Sequence, residues 1–438
     1  MSIFAQSTDI DAEHGDAHFG HMFDPWLTCS HSFVTVLGDN IATHWTHFID
    51  PLRERKLREV DRQNRDAVLR AILANLAFGI ASGFDPPSIG ISIRAAKQKG
   101  SRYERPGFRT LPKVAELLST PEGGSYLDLD RSHRKGVASS LTVNPSLAAD
   151  LRRFKFAPKH FGLARARETI ILSSVKRDFA GNVESRELLE YEDTEITARF
   201  RAEMVTINDF LETARLDFED DGGAPVMTNR RYLTRYFRPP PEGKPNFNLA
   251  GRLFGGWWDN LAKTRRHAIR IGGEPVADLD FASMFLRLAY IDLGLAPPNG
   301  DLYASVPGLS QPHWRPGVKA VANAMLSRST KLTRVPRNTR ELLPTNISGP
   351  EVRNAMLAAH PALEPIFETG AGLRLMFTES QILVAALLAL VQAKIAFMPM
   401  HDGLMVARSR ADKAARIMDD AAKRVTGHRL PISLKSQY

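Results

Sequence analysis

The sequence predicts an α+β fold whose C-terminal half is an antiparallel sheet covered by helices, preceded by a helix-rich N-terminal region. Three observations predict it. EPVADLDFASMFLRLAYIDLG, from Glu274, alternates as far as Phe281 and then repeats Met284, Phe285, Leu288 and Ile291 at helical spacing, so a strand becomes a helix. FMPMHDGLMVAR, residues 397–408, is two apolar runs broken at His401, Asp402 and Gly403, the pattern of two strands and a turn. TESQILVAALLALVQA leads into that hairpin as an apolar helix with Thr378 as its expected cap. SRADKAARIMDDAAKRVTG leaves it as a second helix, with Ser409 and Asp412 as a capping box and Gly427 at its end, before a short strand, LPISL.

The N-terminal elements follow the same rules. Residues 1–50, with His14, His18 and His21 near Asp11 and Asp16, read as a polar leader without regular pattern. Residues 51–160 give a helix (RQNRDAVLRAILANLAFG), a strand (SIGISIR), a second helix (FRTLPKVAELLS) and a flap of YLDLD and SSLTVNP with Arg131, His133, Arg134 and Lys135 at its tip. That order resembles a winged helix-turn-helix, whose second helix would enter a DNA groove. Residues 161–228 form a connector: a hairpin turning at Ala180-Gly181-Asn182, then a helix over 193–215 with Ile196, Phe200, Met204, Ile207 and Leu211 on one face. The acidic run DFEDDGG and the Pro-rich RPPPEGKPN mark a boundary, after which 229–438 form the last domain.

At 438 residues, 43% hydrophobic and 24% charged, the chain has room for two or three domains of ordinary globular composition. The longest apolar stretch, from Ile382, is interrupted by Gln392 and Lys394, so no membrane partner is expected. The opening residues lack the regions of a signal peptide and Cys29 is the only cysteine, which predicts a reducing cytoplasm. A net charge of +9 permits a polyanionic partner. Ten Arg or Lys fall between 230 and 270 against Glu242 and Asp259, with Tyr232, Tyr236, Phe237, Trp257 and Trp258 interleaved. Such a mixture suits a phosphate backbone with exposed bases, and equally a basic face beside a core cluster.

The chemistry lies in the second half. A buried carboxylate is costly unless it is paired or bound to a metal, and Asp280 and Asp402 stand at the ends of apolar strands 122 residues apart. If those strands are neighbours the carboxylates converge, as nucleotidyl transfer requires of groups that hold two divalent cations. Asp278 shares the face of Asp280 and is expected in a secondary ionic contact. HWRPGVKAVANAMLSRSTK reads as a helix with Pro316 in its first turn and Arg315 and Lys319 on one face, where the two cations repel unless an anion sits between them.

GRLFGG (251–256), DLDFASMFLR (278–287), RPGVK (315–319) and MHDGLMV (400–406) occur in the order found in the polymerase domain of family A DNA polymerases and single-subunit RNA polymerases, which this half of the chain resembles. It is most similar to a compact group of polymerase-like proteins of bacteria and phages. The resemblance implies a polymerase-type palm with reduced fingers over 229–438 and a thumb-like role for the connector. It implies that Asp280, Asp402 and the Phe281 carbonyl hold two Mg²⁺ or Mn²⁺ ions. Arg315, Lys319 and Phe285 would contact the incoming nucleoside triphosphate, and Arg252, His401 and Arg287 the DNA primer-template. Three positions depart from the family: Phe285 stands where replicative members have Glu, Ser327 where the fingers helix has an aromatic, and Gly403 where an acid often follows His-Asp. The expected function is template-directed nucleotide addition. Primer or RNA synthesis, and a non-catalytic DNA-binding replication or regulatory protein, are the alternatives; a two-metal phosphohydrolase would leave Arg315 and Lys319 unexplained.

Overall fold

The computed structural model describes residues 21–84, 86–91, 101–132, 138–164, 167–177, 183–224, 226–336 and 339–437. The chain is mixed α and β, 45% helix and 18% strand, so helices outweigh several small sheets. It divides into two compact units: 2–168 with 220–230, and 169–219 with 231–438. The region expected as a connector is thus shared out, and its hairpin and helix pack with the C-terminal unit.

In the N-terminal unit, β1 (His21–Met22), β2 (Leu27–Cys29) and α1 (Ser32–His44) occupy part of the stretch expected to lack pattern. The signal was there: Val34, Gly38 and Ile41 recur at helical spacing and are buried, and the His31 ring accepts from the Phe33 N–H as a cap. His14 and His18 lie outside the described residues. Then come α2 (Glu59–Ala81), β3 (Ser88–Ile91), α3 (Leu111–Ser119), β4 (Leu127–Asp130), β5 (Ser139–Val143), α4 (Pro145–Arg152) and β6 (Phe161–Leu163). The expected flap is β4–β5, but β5 also pairs with β3, so it belongs to a four-stranded sheet of order β1-β3-β5-β4. Leu69, Ile72, Leu73 and Leu76 of α2 pack with Val114 and Leu118 of α3 and Ile89 and Leu141 of the sheet. Arg131 of the flap tip ion-pairs with Glu116; His133, Arg134 and Lys135 lie outside the described residues.

The C-terminal unit opens with β7 (Ile170–Arg177) and β8 (Val183–Leu188), whose expected turn at 180–182 lies outside the described residues. In α5 (Glu195–Thr213), Phe200, Met204, Ile207 and Leu211 are buried as the spacing predicts, whereas Ile196 is 45% exposed. β9 (Leu216–Phe218), β10 (Thr234–Phe237), β11 (Ala250–Phe254) and β12 (Ile269–Ile271) follow, with β10 and β11 completing a sheet of order β11-β10-β7-β8. The second sheet is built around β13 (Glu274–Phe281), which is antiparallel both to β15 (Gly403–Ala407) and to β16 (Ile432–Gln437). β14 (Phe397–Met400) pairs with β15 to give the expected hairpin, and β12 and β9 extend the sheet beyond β13.

Around these sheets lie α6 (Met284–Asp292), α7 (Arg315–Ser327), α8 (Gly349–Ala359), α9 (Gly372–Gln392) and α10 (Ala411–Thr426). α9 begins six residues before Thr378, because Leu375 and Met376 continue its buried face; Thr378 lies inside the helix and its hydroxyl donates to the Arg374 carbonyl at 3.5 Å. It is long and apolar enough to cross a membrane, but it packs against β11, α10, α6 and α5. α10 lacks the expected capping box: Ser409 binds Glu274 of β13 instead, Oγ to Oε1 at 3.0 Å. Its C-terminus closes at Gly427 with φ +81°, as a left-handed cap requires.

Candidate active site

The register of the second sheet places Asp280 opposite Gly403 on one side and Ser433 on the other. Asp402, in the turn before Gly403, accepts the Phe281 N–H on its carbonyl at 3.2 Å. The end of β13 and the β14–β15 turn therefore meet, and the two carboxylates converge. The turn is held from behind by the Trp258 indole, which donates to the Pro399 carbonyl at 2.8 Å. His401 takes φ +53° to make the bend, and its ring packs edge-on against Phe254 with centroids 5.2 Å apart. A Cβ on Gly403 would lie 2.3 Å from the Leu279 carbonyl oxygen and 2.9 Å from Asp280 Oδ1, so a glycine at this position follows from how closely the hairpin approaches β13.

Burial sets the electrostatics. Asp280 is 5% exposed; burial and then the neighbouring Asp402 charge push its carboxyl up to about 7, against the pull of Lys435. Burial would raise Asp402 as well, but Lys435, Lys319 and Arg252 together hold it below the usual carboxylate range. The pair thus ionises unequally, as closely set carboxylates must. Burial, with Arg252 alongside, pushes the His401 imidazole down to about 4, so the ring is neutral at physiological pH. Lys435 Nζ lies 2.5 Å from Asp280 Oδ2, while Asp280 Oδ1 is buried without a hydrogen-bond partner. The two carboxyls lie within hydrogen-bonding reach of each other, an arrangement that a shared proton satisfies and that could equally take a divalent cation, for which Asp280 and Asp402 would be the ligands. Among the described residues no cluster of three or more His, Cys, Asp or Glu is placed to bind a metal.

The other expected site residues divide. Lys319 makes no ion pair among the described residues, and its charge bears on Asp402 and Glu379. Arg315 is ion-paired with Asp301, and its guanidinium lies 5.3 Å over the Tyr303 ring. Asp301 thus answers the charge of Arg315, while that of Lys319 is answered by Asp402 and Glu379. Arg252 makes a bidentate pair with Glu379 at 2.7 and 3.1 Å and stacks over Phe285 at 5.6 Å. Arg287 is 2% exposed and gives its three nitrogens to the carbonyls of Ala282, Pro298 and Gly300, which makes it the anchor of the 298–300 loop and not a nucleic-acid contact. Asp278 has the ionic contact expected of it, with Arg266 at 3.5 Å.

The basic segment does not form one exposed face. Arg235 is fully buried against Phe200, Glu203, Ser380 and the Gly251 carbonyl, Arg238 holds Ser173, and Arg270 pairs with Glu219. Trp257 and Trp258 are buried in the core. Sequence reasoning missed Lys435, Glu379, Asp301 and Tyr303. Glu379 carried a readable signal, a carboxylate in the middle of an apolar helix. Tyr303 did not: its position near the carboxylates follows from the loop before α7, where burial and then the Asp402 charge hold its hydroxyl above the usual range.

A scan against protein-family models and a search of curated proteins find no match to this chain.

Proposed function

We propose that the chain is a metal-dependent, template-directed nucleotidyltransferase, with the site at the meeting of β13 and the β14–β15 turn. The observation that carries this reading is the convergence of Asp280 and Asp402 across 122 residues of sequence, with Lys319 alongside. Asp280 and Asp402 would hold the metal, which when bound would activate a 3′-hydroxyl and stabilise the departing oxygen. Lys319 would bind the triphosphate, joined by Arg315 once a phosphate displaces Asp301. Arg252 and Phe285 form one stacked unit beside the carboxylates, where the primer terminus and the sugar would lie. His401, neutral and packed on Phe254, holds the turn.

The test is primer extension with Mg²⁺ or Mn²⁺, using ribonucleotides and deoxynucleotides separately, with and without a primer. Asp280→Asn and Asp402→Asn are each expected to lower addition by about a thousandfold or more, the equivalent of the several kcal/mol that metal-bound charge supplies to such a transition state. Asp280→Asn should melt no earlier than wild type, since burial disfavours that charge, whereas Asp402→Asn removes a charge that Lys435, Lys319 and Arg252 favour and should melt somewhat earlier while still folding cooperatively. Extension that survived both substitutions would refute the proposal. One observation favours a second reading, a DNA-binding protein without catalysis: Arg252 and Arg315 are both engaged by acids of the chain itself. Duplex binding without incorporation by the wild-type chain would favour that reading.

A further inference from the structure

β16 is not a regular strand. It pairs Asp280 with Ser433 and Leu279 with Leu434, but then Asp278 with Ser436, so Lys435 is the extra residue of a β-bulge. Lys435 lies two residues beyond Ser433, the residue opposite Asp280, and so shares that face of the strand, where its Nζ meets Asp280 Oδ2 at 2.5 Å. The Ser433 hydroxyl donates to the Asp280 carbonyl at 3.1 Å and fixes the register on the other side of the bulge. The sheet thus sets one ammonium on one buried carboxylate.

We infer that Lys435 is a built-in cation of this site: its ammonium takes the place of one of the two metal ions, so that the carboxylate pair receives a single divalent ion. This rests on the reading of Asp280 and Asp402 as metal ligands. Two carboxylates and one ammonium carry a formal charge of −1, too little to gather two divalent ions before a triphosphate arrives. Asp280 Oδ2 is taken by Lys435, which leaves the buried Oδ1 and the Asp402 carboxylate for a metal. Two carboxylates are the usual protein share for one Mg²⁺, the rest being water and phosphate. Gly403 offers no further carboxylate, because a side chain there would strike β13.

The experiment is Mn²⁺ binding to the full-length chain without nucleotide, read from loss of the free-ion EPR signal. Wild type should bind one Mn²⁺ per chain. Lys435→Met should bind it roughly 10- to 100-fold more tightly, the range over which side chains next to metal ligands tune affinity, and Lys435→Arg should stay near wild type. Asp280→Asn should lose the site in each background. Two ions on wild type, or equal affinities for wild type and Lys435→Met, would overturn the inference and leave the metal reading standing. Binding indifferent to Asp280→Asn would overturn the metal reading and the inference together. Lys435 has a 41% exposed side chain, so its substitution leaves the core intact, and a thermal melt of each variant checks this.

Discussion

Asp280 is the residue at which burial and charge compete most directly. Its carboxyl titrates near 7 in the folded chain, against an ordinary 3.8. The folded state therefore holds this proton more tightly than the unfolded one, and the stability that results is complete below pH 4 and lost as pH rises through 7. His401, held at about 4, acts in the opposite sense, losing stability as pH falls below its ordinary 6.5. It is present in wild type and in Asp280→Asn alike, so it cancels in their difference. Between pH 5 and 8, without metal, Asp280→Asn should gain about 3 kcal/mol on wild type, the two-unit span from 5 to 7 expressed as free energy. Urea denaturation of both chains at the two pH values measures it, and a difference that stayed constant would mean that Asp280 is not held against its charge.

Between elements, the decisive contact is β11 with α9. Gly251 takes φ +88°, and a Cβ there would lie 2.6 Å from Ser380 Oγ, so the strand comes close enough for Arg252 to reach Glu379 inside the helix face. Glu379 is 1% exposed, and burial pushes its carboxyl up to about 7 against the pull of Arg252. Removing one partner strands the other charge: Arg252→Ala should cost about 3–5 kcal/mol, and adding Glu379→Gln should recover most of it, as a double-mutant cycle in denaturant would read. These two elements also show what was legible. The β13-to-α6 switch, the hairpin at His401-Asp402 and the amphipathic α5 follow from local periodicity, whereas the meeting of Asp280 with Asp402 was conditional on their strands being neighbours, which the β13–β15 pairing supplies. The start of α9, the bulge at Lys435 and the use of Arg231, Arg235 and Arg238 on internal carbonyl and hydroxyl groups depend on which strand lies next to which, and composition carries no trace of that.

At the scale of the whole molecule, each unit has its own interior: α2, α3 and the β1-β3-β5-β4 sheet in one, α9 with β11, β14 and α10 in the other. Units with separate cores unfold as separate cooperative steps unless something couples them, so calorimetry of the full chain should resolve two transitions. Unfolding enthalpy scales with chain length, so the C-terminal transition should carry about three parts of heat to two for the N-terminal one. A ligand that binds only the folded state raises only the transition of the unit that holds it. Mn²⁺ is therefore expected to move the larger transition upward by a few degrees at concentrations well above its dissociation constant, and to leave the smaller one in place. In Asp280→Asn the same addition should move neither. A shift confined to the smaller transition would place the metal in the N-terminal unit, away from Asp280 and Asp402, and the catalytic reading of the β13 and β14–β15 junction would fall with it.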